Sequence, residues 1–140
     1  MSPADSVEAL HRQIAACRVC EAALGFTPRP VAQFSATSRI LIIGQAPGSK
    51  VHASGIPWDD KSGERLCEWT GLTTEQLHDP ALVAIVPMGF CYPGKANGGD
   101  KPPRPECAPL WHDRVLDLLP QDRLTLLVGT YAQAHYLPNA

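Results

Sequence analysis

The 140-residue sequence lacks several features that mark large classes of proteins. Its formal net charge is −2, so the chain has no overall excess of positive charge of the kind that many DNA-binding domains carry. The apolar runs, such as Ile40–Ile43, are far too short to span a bilayer, which excludes a membrane-spanning segment. Residues 1–13 contain no apolar signal core, and we therefore expect a cytoplasmic protein.

The composition is that of one folded domain. Hydrophobic residues make up 44% of the chain and charged residues 19%, which suits a globular core and excludes a charged, disordered chain. A chain of this length has the size of one ordinary domain, and we expect a single domain over residues 1–140. Proline accounts for 14 of the 140 residues, about double its usual share of roughly 5%, so loops should form much of the chain.

Three short apolar runs predict buried parallel strands, at residues 39–44, 82–86 and 124–128. Apolar residues at helical spacing predict helices at residues 5–18, 64–70, 108–119 and from residue 130 onward. Residues 92–105 are rich in proline and glycine and fit no regular element. Strands that alternate with helices predict an α/β fold, a three-layer α/β/α sandwich around a short parallel sheet.

The five cysteines are an odd number in a chain without a visible export signal, which makes a disulfide framework a poor interpretation. Cys17 and Cys20 form a C-x2-C pair, and fifteen residues separate Cys91 from Cys107. In a reducing compartment, two such pairs indicate a metal or cluster site. Four thiolates suit an iron–sulfur cluster and zinc alike, and a site without metal is the remaining alternative. Cys67 fits no pair and is expected to be a small buried hydrophobe.

The best candidate site follows the first predicted strand, because ligands of open α/β sheets bind at the carboxyl ends of the strands. Gly44 ends that strand, and Gln45–Gly48 forms a tight turn after it. Glycine allows close approach of a ligand, and backbone N–H groups in such a turn can hold an anion or a carbonyl oxygen. The turn is neither a P-loop nor a dinucleotide fingerprint, because GxxxxGK(S/T) and GxGxxG are both absent.

Residues 42–48, IIGQAPG, are followed by GIPW at residues 55–58 and by a small-residue turn at Ser62-Gly63. This pattern resembles the first motif of the uracil-DNA glycosylase superfamily. Its spacing matches the iron–sulfur branch, often called family four, which also has a C-x2-C pair and a later C-x15-C pair across a proline-rich loop. The resemblance extends from about residue 17 to 131 and implies a uracil-DNA glycosylase-like fold.

The resemblance implies a DNA-repair enzyme that binds DNA containing uracil or another deaminated base. Such enzymes flip the base out of the duplex and hydrolyse its N-glycosidic bond during base-excision repair. The resemblance also implies a 4Fe-4S cluster. Its ligands would be Cys17, Cys20, Cys91 and Cys107.

The resemblance further implies roles for residues near the turn. Trp58 stands where the family has a phenylalanine that stacks on the flipped base. Gln45 replaces a glutamate and can orient a water, although it cannot act as a base. His52 is the second expected catalytic residue, because an imidazole can position or deprotonate water, and Asp59 and Asp60 are its rivals. The expected substrate-binding residues are Gly44, Ala46, Pro47, Gly48, Trp58 and Asp59.

Two further features depart from the family pattern. Pro87 stands where the family has a base-reading asparagine, and proline offers no side-chain amide. The second family motif, HPS, follows the final strand, and the 140 residues contain no counterpart. We therefore expect that the carboxyl-terminal strand and the HPS-type motif are lacking. Strand 124–128 should then be an edge with an exposed apolar flank.

Two other functions stay open at this point. One is a nucleic-acid- or nucleotide-binding protein of the same fold that has lost catalysis. The other is an unrelated α/β hydrolase that uses the carboxylates of Asp59 and Asp60. The sequence defines neither the preferred base nor the oligomeric state. Residues without motif support are expected to be in the core (Trp69, Trp111) or structural or on the surface (His11, His78, His112, His135).

Overall fold

Three parallel strands form the centre of the fold in the computed structural model, which describes residues 3–137. Strand β1 (Ile40–Ile43) lies between β2 (Val83–Ile85) and β5 (Leu124–Leu127). Ile42 is in register with Ile85 on one side and with Leu126 on the other. The three predicted strands are therefore confirmed, each within one residue or so of its expected bounds.

Helices surround this sheet within the described residues. They are α1 Pro3–Ala15, α2 Glu21–Leu24, α3 Ser49–Ser54, α4 Lys61–Thr70, α5 Thr74–Leu77, α6 Asp113–Leu116 and α7 Thr130–Tyr136. The single helix predicted at residues 108–119 is wrong in detail, because Ala108–His112 forms a wider π-helical turn before α6. No helix within residues 3–137 has the length and apolar character needed to cross a membrane.

Side chains on the two faces of β1 enter two separate cores. Leu41 and Ile43 pack into one core with residues of α1, α6 and α7, whereas Ile42 packs into the other with Leu66 of α4 and Leu77 of α5. Successive side chains of a strand point to opposite faces, so a strand buried on both sides is apolar throughout. This arrangement confirms the predicted three-layer α/β/α sandwich.

The two outer strands differ in what covers them. The free edge of β2 is covered by Gln33, whose backbone N–H and C=O both bond Ile85, at 2.9 and 2.6 Å. Within residues 3–137, no strand pairs with the outer edge of β5, and Leu124 is 59% exposed. The prediction that this strand is buried is therefore wrong, because the first half of β5 is exposed and the second half is only half-buried. The expected lack of a further strand and of the HPS motif concerns sequence beyond the described residues and stays a prediction.

The proline-rich segment at residues 92–105 contains a short hairpin, so the prediction of no regular element there is wrong. Strands β3 (Lys95–Ala96) and β4 (Gly99–Asp100) pair antiparallel, joined by Asn97-Gly98. Asn-Gly is a common hairpin turn, and Gly98 has a φ of +85° that favours glycine. The prolines lie on either side of this hairpin and therefore remove no hydrogen bond from it.

Leu77 and Leu124 provide a direct test of this burial pattern, because they are 1% and 59% exposed. We expect Leu77→Ala to lower the free energy of unfolding by about 2–5 kcal/mol, since it leaves a cavity between α5 and the sheet. Leu124→Ala should lower it by less than about 1 kcal/mol. Urea unfolding followed by circular dichroism measures both values, and equal losses would contradict the assignment of β5 as an exposed edge.

Candidate active site

A cavity of about 500 Å³ opens at the carboxyl ends of β1 and β2, where the sequence places the candidate site. Its volume lies in the usual range for sites that bind a small molecule or a single base. Segments that are far apart in the sequence contribute to its wall. The residues that matter below are Gly44–Gly48, Trp58, Asp60, Pro87 and Asp100.

In the turn after β1 (residues 44–48), three carbonyl groups accept backbone hydrogen bonds, whereas three N–H groups have no partner among the described residues. The first two carbonyl oxygens accept hydrogen bonds from N–H groups of the segment after β2, at 2.8 and 3.0 Å. In contrast, the N–H groups of Gln45, Ala46 and Gly48 donate no hydrogen bond to any described residue. A backbone N–H group needs a hydrogen-bond acceptor. A carbonyl oxygen or an anionic group of a ligand in the cavity can be that acceptor.

Trp58 lies in a strained turn at the cavity wall. The turn is closed by a hydrogen bond from the N–H of Asp59 to the carbonyl of Ile56, at 3.2 Å. Trp58 has a φ of +59°, and no other non-glycine residue among those described has a positive φ. This third position of a turn is normally glycine or asparagine, and a bulky side chain there costs about 1–3 kcal/mol. Such strain persists only where the surrounding structure holds it, and it is typical of ligand sites.

Two glycines and a histidine hold Trp58 in place. A Cβ added at Gly63 would lie 1.8 Å from the Trp58 carbonyl oxygen, and one added at Gly44 would lie 2.9 Å from Cζ2 of the indole. His78, expected from the sequence to be structural or on the surface, donates from Nε2 to the carbonyl oxygen of Pro57 at 2.7 Å. The indole therefore packs directly on the backbone that ends β1.

Two carboxylates lie near the last residue of the turn. A Cβ added at Gly48 would lie 3.8 Å from Oδ2 of Asp100 and 3.9 Å from Oδ2 of Asp60. Asp60 also caps α4, because its side chain accepts a hydrogen bond from the N–H of Gly63 at 3.1 Å. Asp59 does not line the cavity. The structure thus brings only one of the two consecutive aspartates to the site and adds Asp100, which the sequence did not indicate.

His52 is not among the residues that line this cavity, and its expected catalytic role stays a prediction. Its neighbour Val51 lines the cavity, and successive residues of a helix are turned by about 100°. The His52 ring instead packs against Phe26 and Tyr92, with ring centroids 5.4 and 5.7 Å away. Its Nδ1 is buried without a hydrogen-bond partner among the described residues. His52 therefore belongs to an aromatic cluster on another side of α3.

The buried His112 and the half-buried Tyr136 support the cavity wall at Pro87. The Pro87 carbonyl oxygen accepts a hydrogen bond from Nε2 of His112 at 2.8 Å, and Nδ1 of His112 accepts one from the Tyr136 hydroxyl at 2.6 Å. Burial lowers the pKa of His112, so the ring is neutral at pH 7 and Nδ1 is free to accept. Burial raises the pKa of Tyr136 to about 12, so its hydroxyl keeps the proton that it donates. His112 is structural, as expected, but it acts on a residue of the site.

The sequence matches the family model described as the Uracil DNA glycosylase superfamily over residues 31–140. The chain belongs to the uracil-DNA glycosylase superfamily. The matched range includes the turn, Trp58 and all three strands of the parallel sheet, so the resemblance noted in the sequence is confirmed. Membership in this superfamily supports a DNA glycosylase-like role in DNA repair and DNA as the general binding partner. The match does not distinguish the iron–sulfur branch.

Four cysteines of this superfamily member line one small cavity, next to Phe90 and Arg104. Burial raises the pKa of Cys91 to about 12 and that of Cys107 to about 11. The backbone N–H of Phe90 donates to Sγ of Cys107 at 3.4 Å. Cys67 lies apart from them, half-buried on α4. The four that lie together are those of the two predicted pairs, Cys17, Cys20, Cys91 and Cys107.

The four cysteine thiols are chemically suitable ligands for a soft metal centre. A metal or cluster binds thiolates and displaces their protons, which offsets the preference of these buried groups for the neutral form. The free volume between the thiols is about 10 Å³, which is the space for one water, so a cluster requires the segments that carry them to move apart. Within residues 3–137, no three or more histidine, cysteine, aspartate or glutamate side chains are arranged to hold a metal ion.

Gly63→Ala should disturb Trp58 directly, because the added Cβ would lie 1.8 Å from its carbonyl oxygen. We expect the variant to lose about 2 kcal/mol or more of unfolding free energy, and the indole N–H resonance of Trp58 to shift in NMR spectra. Gly71→Ala is the control, since Gly71 has a φ of +77° but no atom within 4 Å of an added Cβ. It should lose about 1–2 kcal/mol and leave the Trp58 resonance in place. An unmoved resonance in Gly63→Ala would contradict the packing described here.

Proposed function

We propose that the protein hydrolyses the N-glycosidic bond of uracil, or of another deaminated base, that is flipped out of DNA during base-excision repair. One observation carries the proposal: Trp58, held in a strained turn, lines the same cavity of about 500 Å³ as three backbone N–H groups that donate no hydrogen bond to any described residue. A flat base with carbonyl oxygens has the shape and the acceptors for such a site. Stacking on an aromatic ring contributes about 1–3 kcal/mol per base.

The N–H groups of residues 45–48 supply the stabilisation that the leaving base needs. When the bond between C1′ of the sugar and the base nitrogen breaks, its electron pair leaves with the base. The negative charge then spreads to a carbonyl oxygen of the base, where donors already in position stabilise it. Such donors contribute most in a site that excludes water, and the Trp58 indole covers one side of this turn.

The carboxylates supply the complementary charge. As the base leaves, positive charge develops on the sugar, and a carboxylate near Gly48 stabilises it. The oxygen of water then bonds to C1′ and its proton passes to a carboxylate, while the base anion takes up a proton to leave as the neutral base. Asp100 suits the acceptor role better than Asp60, because the Asp60 side chain already caps α4. Gln45 lines the cavity, and in this proposal its side-chain amide orients the water.

An oligonucleotide with one uracil, single- or double-stranded, tests this proposal in a gel assay of alkali-sensitive sites. We expect excision by the unaltered protein and a fall of at least about 100-fold in kcat/KM for Asp100→Asn, since the variant lacks the proton acceptor. Trp58→Ala should reduce kcat/KM by about 5- to 150-fold through lost stacking. Asp122→Asn is the matched control, because that carboxylate pairs with Arg39 before β1, at the opposite end of the sheet. Full activity of Asp100→Asn would overturn the role of Asp100.

A second candidate function is binding of damaged DNA without excision. It is favoured by Pro87, which lines the cavity at the position of the family's base-reading asparagine and offers no side-chain donor there. The same oligonucleotide separates the two functions. Binding of the uracil strand without any cleavage, under conditions in which the protein is folded, would support the second function and refute the first.

We also propose that Cys17, Cys20, Cys91 and Cys107 hold a 4Fe-4S cluster in a cytoplasmic protein, where reducing conditions keep thiols free. The support is their grouping around one cavity and the N–H donated to a cysteine sulfur. The cluster would serve as a structural link here. Cys91 and Cys107 lie at the two ends of the segment that contains β3 and β4. A cluster bound to both cysteines would fix these ends and hold Asp100 at the cavity.

Anaerobic purification tests the cluster. We expect a brown protein with about four irons and four sulfides per chain. Cys91→Ser should lose the colour, because it removes one of the ligands. Cys67→Ser is the matched control and should keep it, because Cys67 lies outside the group. A colourless protein with one zinc per chain, or one that binds no metal, would refute the cluster while leaving the proposed glycosylase reaction open to its own test.

A further inference from the structure

The exposed face of α4 carries two cations and a tryptophan at the rim of the cavity. Lys61, Arg65 and Trp69 follow each other at intervals of four residues, so they lie in one row along the helix. All three are exposed and all three line the cavity. This row, the α4 stripe, spans about 12 Å from its first residue to its last.

Trp69 is 70% exposed, so the expectation of a core residue is wrong. The helix places Leu66 in the core, and Trp69 instead lines up with Arg65, four residues before it. The Arg65 guanidinium carbon lies 6.0 Å from the centroid of the Trp69 ring. One aromatic face thus stands open to solvent beside a positive charge, an arrangement that proteins use to bind single-stranded nucleic acid.

The charges of the stripe itself favour a polyanion on this face. The same helix also carries two exposed carboxylates, Glu64 and Glu68, each turned by about 100° from the stripe residue that follows it. Neither Lys61 nor Arg65 forms an ion pair within the part of the chain that the structure describes. The carboxylates that share the cavity with them, Asp60 and Asp100, lie near Gly48. Phosphates are therefore attracted to the two cations at the rim and repelled from the cavity interior. The chain as a whole has a net charge of −2, so binding of a phosphate backbone depends on a local pair of cations such as this one.

We infer that the α4 stripe binds the DNA strand next to the flipped nucleotide, with a neighbouring base stacked on Trp69 and phosphates on Lys61 and Arg65. Only the part of this inference that concerns the flipped base rests on the proposed function. The stripe itself binds any single strand, whether or not a base is flipped. Stacking and phosphate contacts carry little sequence information. The stripe therefore confers affinity for an unpaired strand and leaves the choice of base to the cavity.

Binding to a fluorescein-labelled single strand of undamaged DNA, measured by anisotropy, tests the stripe separately from excision. We expect Trp69→Ala to weaken binding by about 5- to 150-fold. Trp69→Phe should keep most of the affinity, because it retains an aromatic face, whereas Trp69→Leu should bind as poorly as the alanine variant. These substitutions are at an exposed position, and thermal unfolding should show unchanged stability.

Arg65→Ala and its control test the phosphate contact. We expect Arg65→Ala to reduce the slope of log affinity against log salt concentration by about 0.7, the value for one contact to a single strand. Arg114→Ala is the matched control, since Arg114 lies over another tryptophan, Trp111, at 5.1 Å and away from this cavity. It should change neither the affinity nor the slope.

The outcomes separate this inference from the proposed function. If Trp69→Ala binds undamaged single strands within twofold of the unaltered protein, or Arg65→Ala keeps the full salt slope, the stripe is refuted even if uracil is excised. If the variants lose binding as expected but no uracil is excised by the unaltered protein, the glycosylase reaction is refuted and the stripe stands.

Discussion

The packing of Trp58 on two glycines is the contact on which the candidate site depends. Its carbonyl oxygen occupies the space of a Cβ at Gly63, and its indole approaches Gly44. These contacts hold a tryptophan in a backbone conformation that normally requires glycine. They also join the end of β1 to the start of α4. The packing of Trp58 therefore positions three features around a single cavity: the stacking ring, the turn at residues 44–48 and the α4 stripe.

Features that depend on neighbouring residues could be predicted from the sequence. The apolar runs at residues 39–44 and 82–86 identify strands that are buried on both faces, because such strands are apolar throughout. The turn at residues 44–48 and the aromatic residue at position 58 carry the family motif in the sequence itself. The structure brings both to one cavity at the carboxyl end of β1, where a parallel sheet is expected to bind its ligand.

Features that depend on contacts across the chain could not be predicted. Asp100 reaches the cavity through a hairpin whose only local signal is Asn-Gly, and His78 and His112 act by bonding carbonyl groups 21 and 25 residues away. His52 lies at the expected place in the sequence, but one helical step turns it away from the cavity. Helical spacing alone did not decide whether Trp69 faces the core or water, because a residue three positions from a core leucine lies near the boundary of the buried face.

The central claim is that the N–H groups of the turn and the Trp58 indole together form the base site. Titration of the nitrogen-15-labelled protein with free uracil tests it most directly, because it needs neither DNA nor catalysis. We predict saturable chemical-shift changes at the amides of Gln45, Ala46 and Gly48 and at the indole N–H of Trp58, with Trp58→Ala abolishing the response at the turn. Saturable binding that leaves these four signals unchanged, or no binding at any accessible concentration, would contradict the account.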